Sequence, residues 1–356
     1  MIFDDVLTIK NGKNQKAVEN PKGKYPIFGS GGVMGYADDY ICSANTVVIG
    51  RKGSINNPIF VECPFWNVDT AFGLEAKTEV LIPRYLYYFC KHFNFEKLNK
   101  TVTIPSLTKS DLLRIEIDLP EISKQQSIVS QLSKIEDVVA LRQRQLQKLD
   151  ELIKARFVEL FGDPVNNSKG LPELTLPELG EFGRGVSKHR PRNDPKLLGG
   201  KYPLIQTGEV ANSELYITSY ENTYSELGLK QSKMWQAGTL CITIAANIAK
   251  TAILTFDACF PDSVVGFKAN DKTSNIFIHY WFSFFQAILE AQAPESAQKN
   301  INLKILSELK IIVPPIEQQN EFTAFVKQTD KSKAAVKKAM DEAQLLFDSL
   351  MQKYFG

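Results

Sequence analysis

Apolar positions in the stretch 119–162 recur at alternating steps of four and three: Ile128, Leu132, Ile135, Val139, then Leu146, Leu149, Ile153 and Leu160, with Arg142 and Arg156 filling the same ladder. Steps of four and three keep side chains on one face of a 3.6-residue turn, so the pattern predicts a heptad helix. The ladder returns in 313–356 as Phe322, Val326, Thr329, Lys333, Val336, Met340, Ala343, Phe347, Leu350 and Tyr354. No gap is needed to align the two stretches. Leu119-Pro120-Glu121-Ile122 recurs as Val313-Pro314-Pro315-Ile316, Gln125 as Gln319, and Leu160-Phe161-Gly162 as Tyr354-Phe355-Gly356. Each seam is interrupted, the first by two arginines and the second by Thr329 and Lys333, so neither helix suits pairing with its own copy. Antiparallel pairing with each other solves this. The Ile- and Leu-rich start of the first helix would meet residues 340–354, and its arginine-bearing end would meet Thr329 and Lys333, with Glu136, Asp137, Asp150 and Glu151 as counter-charges. A helix over 124–161 would be roughly 57 Å long, more than one globular domain needs.

The segments ahead of each helix have a different pattern. Residues 1–118 show short β-type runs with turn residues between them. Thr46-Val47-Val48-Ile49 and Ile59-Phe60-Val61 read as strands, Gly29-Ser30-Gly31-Gly32, the 50–54 stretch and Asn56-Asn57-Pro58 as turns, and Ile115-Glu116-Ile117-Asp118-Leu119 as a closing strand. Pro83 opens an aromatic run that reads as a helix. After Gly162, a helix stop, and a polar linker over 163–175, the pattern repeats. Residues 3–12 resemble 176–185, with Gly12 matching Gly185; Gly23-Lys24-Tyr25-Pro26-Ile27 matches Gly200-Lys201-Tyr202-Pro203-Leu204; Thr46 to Ile49 matches Thr239 to Ile242; the aromatic run 85–89 corresponds to 279–282; and Ile115-Glu116-Ile117 corresponds to Leu309-Lys310-Ile311. Five matches in one order, each leading to the same helix, imply a duplication. The predicted fold is α+β: β-rich domains over 1–118 and 176–312 alternate with long helices over 119–162 and 313–356, in a circular, pseudo-twofold arrangement.

Composition narrows the class. The 356 residues, 44% of them hydrophobic, can bury more than one core. A net charge of +2 means that any contact with nucleic acid must come from local clusters of Lys and Arg. Five scattered cysteines without CxxC spacing indicate neither a zinc site nor a disulfide framework and suit a reducing cytoplasm. No signal peptide or membrane-length apolar run is visible, so a soluble intracellular protein is expected.

An object with approximate twofold symmetry and fixed spacing is what such a molecule should grip, and duplex DNA is one. The polar residues in predicted turns are compatible, because Lys and Arg neutralise phosphates while Arg, Asn and Gln pair with base edges. In the first domain the candidates are Lys13, Lys16, Arg51, Lys52, Ser54, Asn56, Lys100, Thr103 and Ser106. In the second they are Arg184, Lys188, His189, Arg190, Arg192, Gln206, Thr207, Lys230, Ser232, Lys233, Asn247, Lys250, Gln298, Lys299 and Asn300. Arg51, Lys52, Arg190 and Arg192 stand out, though any single loop cation is most often a solvated surface residue. Strings that imitate catalytic motifs fail on inspection. Asn57-Pro58-Ile59-Phe60 lacks the second proline of an amino-methyltransferase loop, Phe28-Gly29-Ser30-Gly31-Gly32 has Ser where a cofactor loop needs Gly, and Asp69 with Glu75-Ala76-Lys77 is too closely spaced for a metal nuclease. No GxxxxGK[ST] loop occurs, and His92, His189 and His279 are far apart.

The two closing motifs, Leu119-Pro120-Glu121-Ile122-Ser123-Lys124-Gln125 and Val313-Pro314-Pro315-Ile316-Glu317-Gln318-Gln319, each run into a heptad helix. With the opening strings at Gly12 and Gly185 and the Phe161-Gly162-Asp163-Pro164 junction, the whole chain resembles the specificity (S) subunits of type I restriction-modification systems. The resemblance implies a non-catalytic protein with two target-recognition domains that read a bipartite double-stranded DNA target. Its helices would form an antiparallel spacer that docks methyltransferase (M) subunits. It also implies no cofactor on this chain, S-adenosylmethionine on the M subunits, ATP and Mg on restriction (R) subunits, and no membrane partner. The rival reading is a coiled-coil interaction scaffold without sequence-specific DNA binding; a solitary nuclease or methyltransferase is a distant third.

Overall fold

A computed structural model describes residues 1–101, 104–245, 247–292 and 301–356. Contacts divide the chain into two compact units, one of residues 1–145 with 336–356, the other of residues 146–335. Each unit therefore takes part of both long helices.

In unit 1 the main sheet has the order Leu7–Asn11, Ala71–Ala76, Thr46–Gly50, Ile59–Val61, with every neighbour antiparallel. Thr46–Gly50 is buried along its whole length, which explains its unbroken apolar run. Val47 and Ile49 face the aromatic helix α1 (Pro83–His92), whereas Val48 faces Cys42, Val61 and Phe65. A second sheet pairs Tyr25–Gly29 antiparallel with Gly32–Ala37 and parallel with Trp66–Asn67. The 115–119 stretch is not a strand. Ile2 bridges Glu116, and Met1 exchanges hydrogen bonds with Ile117 at 3.1 and 2.8 Å. Its partner is the stretch just ahead of the helical turn Phe3–Val6.

Unit 2 repeats this plan. Its main sheet runs Gly180–Arg184, Val264–Ala269, Leu240–Thr243, Thr251–Leu254, and adds Tyr216–Ile217 at the edge. Leu240 and Ile242 face helix α3 (Asn275–Gln292) while Cys241 faces the opposite core, the same alternation as in Val47, Val48 and Ile49. The second sheet again holds a parallel pair, Leu204 opposite Cys259, where unit 1 places Ile27 opposite Trp66. The counterpart of the Ile2 bridge is a short ladder between Ile311–Ile312 and Glu173–Leu174.

Two pairs of matched glycines show why the repeat strings survive. A Cβ on Gly12 would lie 1.7 Å from the Val68 carbonyl oxygen, and one on Gly185 would lie 2.3 Å from that of Phe260. At Gly23 and Gly200 the obstructing backbone belongs to Ala37 and Tyr224, both 2.4 Å away. Only a residue without Cβ permits such approach.

The two long helices, α2 (Ile122–Phe161) and α4 (Ile316–Phe355), have 40 residues each. Gly162, at φ +78°, ends the first in the left-handed conformation that favours glycine. Within unit 1, Ile128 and Leu132 share a core with Phe347 and Met351, and Tyr354 donates to Gln131 at 3.0 Å. Within unit 2, Ile153, Phe157 and Phe161 share a core with Phe322 and Val326. Start thus packs on end in both units, which makes the pairing antiparallel. The polar interruptions find partners. Arg156 reaches Glu321 and Glu159, and Lys333, 11% exposed, is 2.8 Å from Asp150 and 2.6 Å from Glu214. Two of the other expected counter-charges act elsewhere: Glu136 takes Lys91 and the Tyr88 hydroxyl, and Glu151 takes Lys148.

Each long helix is tied to its unit by a fully buried glutamine. Gln125 accepts from the Ile82 amide at 2.9 Å and donates to the carbonyls of Val80 and Pro120, both at 2.9 Å. Gln319 accepts from Ser274 and Thr273 at 3.2 and 3.0 Å and donates to the carbonyls of Lys272 and Pro314. This clamp aligns Ile82 with Ser274 and hence Tyr87, not Tyr85 as the aromatic runs alone suggest, with His279.

Candidate nucleic-acid interface

Main-chain bonding gathers the strongest unit 1 candidates around one turn, residues 67–70. The amide of Lys13 donates to the Asn67 carbonyl, and the amides of Arg51 and Lys52 donate to the Thr70 carbonyl at 2.8 and 3.3 Å. The Arg51 guanidinium donates to the Asp69 carbonyl at 3.5 Å and lies over the Phe72 ring. Lys52 forms a bridge with Ser106, so the segment 105–107 flanks the same place. Ser54 and Lys16 are exposed nearby in sequence. Asn56 and Lys100 are engaged structurally. The Asn56 side chain accepts from the Phe95 amide at 2.7 Å and donates to Asn94, and Lys100 grips both oxygens of Asp111 at 2.9 and 3.0 Å. Thr103 lies outside the described residues.

Unit 2 gathers cations at the equivalent turn. Strand register fixes the equivalence: Asn11 faces Phe72 and Arg184 faces Val265, so Asp69 and Asp262 each stand three residues before a matched position. The amides of Gly185 and Val186 bond to Val264 and Phe260, and this brings the basic loop onto Asp262. Arg192 pairs with one oxygen of that carboxylate, and Arg190 lies 3.5 Å from the other. Arg190 is further fixed by the carbonyls of Ser187 and His189, at 2.6 and 2.8 Å. His189 sits 3.1 Å from Asp194, whose carboxyl is held below its ordinary range by the Lys196 amide and then by His189.

Beside this loop opens a cleft of about 650 Å³. Arg184, Arg192, Gln206 and Thr207 line it together with Asn222 and Asn302, over apolar residues that include Leu204, Tyr224 and Ile244. Other candidates stand apart from the cleft. The Ser232 hydroxyl donates to the Val186 carbonyl, supporting the basic loop from behind, and the Lys188 amide bonds to Gln231. Lys233 covers the Trp235 ring at 3.8 Å and pairs with Glu181. Lys230 is exposed on the short helix Glu226–Lys230. Asn247 and Lys250 shape the turn after Leu240–Thr243, where Thr243 donates to the Asn247 carbonyl and accepts from the Lys250 amide. Gln298, Lys299 and Asn300 lie outside the described residues.

Sequence reasoning passed over Asp262, Asn222 and Asn302. An acid is not sought in a basic cluster, yet Asp262 recurs as Asp69 once the strands are aligned, and that was a readable signal. Among the described residues no cluster of His, Cys, Asp or Glu is placed to hold a metal ion, and no helix is long and apolar enough to cross a membrane.

Two heads of one topology, joined to paired helices and each gathering cations at the same turn, define a duplicated DNA-specificity protein. Comparison with known proteins agrees: residues 3–151 and 173–344 match the type I restriction modification DNA specificity domain, and the chain belongs to that family. It is similar to the type I restriction enzyme EcoDI specificity subunit of Escherichia coli, 21% identical over 393 residues that cover 99% of this chain and 86% of the relative. A second relative, the MjaX specificity subunit of Methanocaldococcus jannaschii, is 23% identical over 269 residues; the match covers 72% of this chain and spans 63% of that relative's length. The fold is that of the type I restriction-modification S subunit from M. genitalium, with a TM-score of 0.64 at 18% identity over 100% of this chain and 95% of the other.

Proposed function

We propose that this chain is the sequence-reading subunit of a type I restriction-modification complex. It binds double-stranded DNA at a bipartite target, one half per head, and positions M and R subunits there. The observation that carries this reading is the equivalence of the two turns that gather cations, at 67–70 and 260–263, on heads that share the order of their matched strands. The chain itself performs no catalysis and binds no cofactor; S-adenosylmethionine belongs to the M subunits, and ATP with Mg to the R subunits. The setting is the cytoplasm.

Co-purification with the M subunit followed by mapping of methylated adenines tests the proposal. A two-part motif of fixed gap is expected. Methylation without a motif would leave only a scaffold, and methylation by this chain alone would make it an enzyme.

Helix length is the proposed ruler. Forty residues extend about 60 Å at 1.5 Å per residue, comparable to about 18 base pairs at 3.4 Å each. Inserting one heptad into both helices should change the gap of the methylated motif; an unchanged gap would remove the ruler.

A further inference from the structure

The geometry points to Arg192 as a guanine-reading side chain of the second head, with Asp262 as the residue that positions it. This rests on the reading of the chain as a DNA-specificity subunit and deepens it by naming a base.

A guanidinium that only neutralises phosphate gains nothing from a carboxylate beside it, and Arg192 has one. It is paired with Asp262, whose second oxygen faces Arg190, and Arg190 is itself pinned by two main-chain carbonyls. One carboxylate thus answers two cations, and the local charge available to phosphates falls by one. Orientation is what the arrangement provides instead. The Arg192 side chain remains 46% exposed, and guanidinium carries five N–H donors in a rigid fork, so donors remain after the carboxylate is served. They lie at a cleft whose other polar lining, Arg184, Gln206, Asn222 and Asn302, can also address base edges. A fixed fork beside amides matches the two acceptors, O6 and N7, that guanine presents in the major groove. Arg51 makes the contrast. At the equivalent turn of the first head it touches Asp69 only through the main-chain carbonyl at 3.5 Å, and keeps its full charge for phosphate.

The test uses the complete complex with M subunits and duplexes built on its mapped motif, each half-site base pair being changed in turn. Arg192→Lys keeps the charge and should lose about tenfold to a hundredfold discrimination at one G·C pair of the half-site read by residues 176–312, with the salt dependence of binding unchanged. Asp262→Asn is near-isosteric and removes the carboxylate that holds Arg192, while Arg190 stays on its two carbonyls. Discrimination at that same pair should fall about tenfold while the slope of log affinity against log salt steepens by about one. Wild-type discrimination in both variants, loss spread equally over both halves, or a second half-site without any G·C pair would overturn the inference. A complex with no two-part motif would remove the function reading and this inference with it, whereas a two-part motif with unchanged discrimination removes the inference alone.

Discussion

At matched places in the two long helices, unit 1 closes its seam with Met351 and unit 2 with Phe157. Met351 is 5% exposed and packs with Ile128, Leu132 and Phe347. Phe157 is fully buried against the rings of Phe161, Phe277, Phe284 and Phe322. Eighteen residues earlier in each helix the contrast reverses, because Val139 in the first helix corresponds to Lys333 in the second, held by Asp150 and Glu214. The duplicated frame therefore fixes where a side chain enters the seam, not which chemistry fills it. In unit 2 the rings of both long helices meet each other, Phe157 and Phe161 on Phe322, beside a partly buried charge; in unit 1 the helix rings Phe347 and Phe355 pack instead on Tyr88, Tyr85 and Phe89 of α1.

Three experiments would break or sharpen that contrast. The largest effect should come from Phe157→Ala, which removes a fully buried ring and should destabilise unit 2 by about 4 kcal/mol, against about 2 kcal/mol in unit 1 for Met351→Ala. Urea unfolding combined with hydrogen exchange by segment reads the two units separately; equal losses would mean that the aromatic cluster adds nothing beyond volume. Next come Gln125→Leu and Gln319→Leu. Each orphans buried main-chain groups at a cost of about 1–3 kcal/mol per group, so similar losses of about 3 kcal/mol are expected in the respective units. Loss at only one site would show that the repeated clamp is not equivalent.

The smallest effect concerns pH. Burial, helped by the Lys333 charge, pushes the His279 imidazole down to about 4, against the hydrogen bond with Thr251. The folded unit keeps this side chain neutral while the unfolded chain takes up a proton near pH 6.5. The contribution of His279 is therefore complete above about pH 6.5 and is lost as the pH falls towards about 4. Unit 2 should lose stability over that range, and His279→Gln should flatten the loss. Lys333 acts at the other end of the scale. Burial opposes its charge, but Asp150 and Glu214 outweigh it and hold the ammonium's pKa above the ordinary value, so on the alkaline side its contribution outlasts the ordinary lysine range.

Much of this architecture was legible in the chain. A heptad period written twice at constant offset specifies two helices and their relation, since periodicity follows from helix geometry alone. The repeated Gly12 and Gly185 marked backbone approaches that only glycine permits. Arg190, Arg192 and Arg51 were visible as loop cations. Tertiary structure decided the rest, because strand order and through-space pairing are non-local. It placed Asp262 under two arginines and Asp69 beside Arg51, reduced the expected 115–119 strand to a bridge on the chain start, and turned Asn56 and Lys100 into structural contacts. Gln125 and Gln319 show the boundary most clearly. The sequence determined that the same glutamine opens both helices; only the fold, by burying each amide among main-chain groups that water can no longer reach, made it the clamp that joins helix to head.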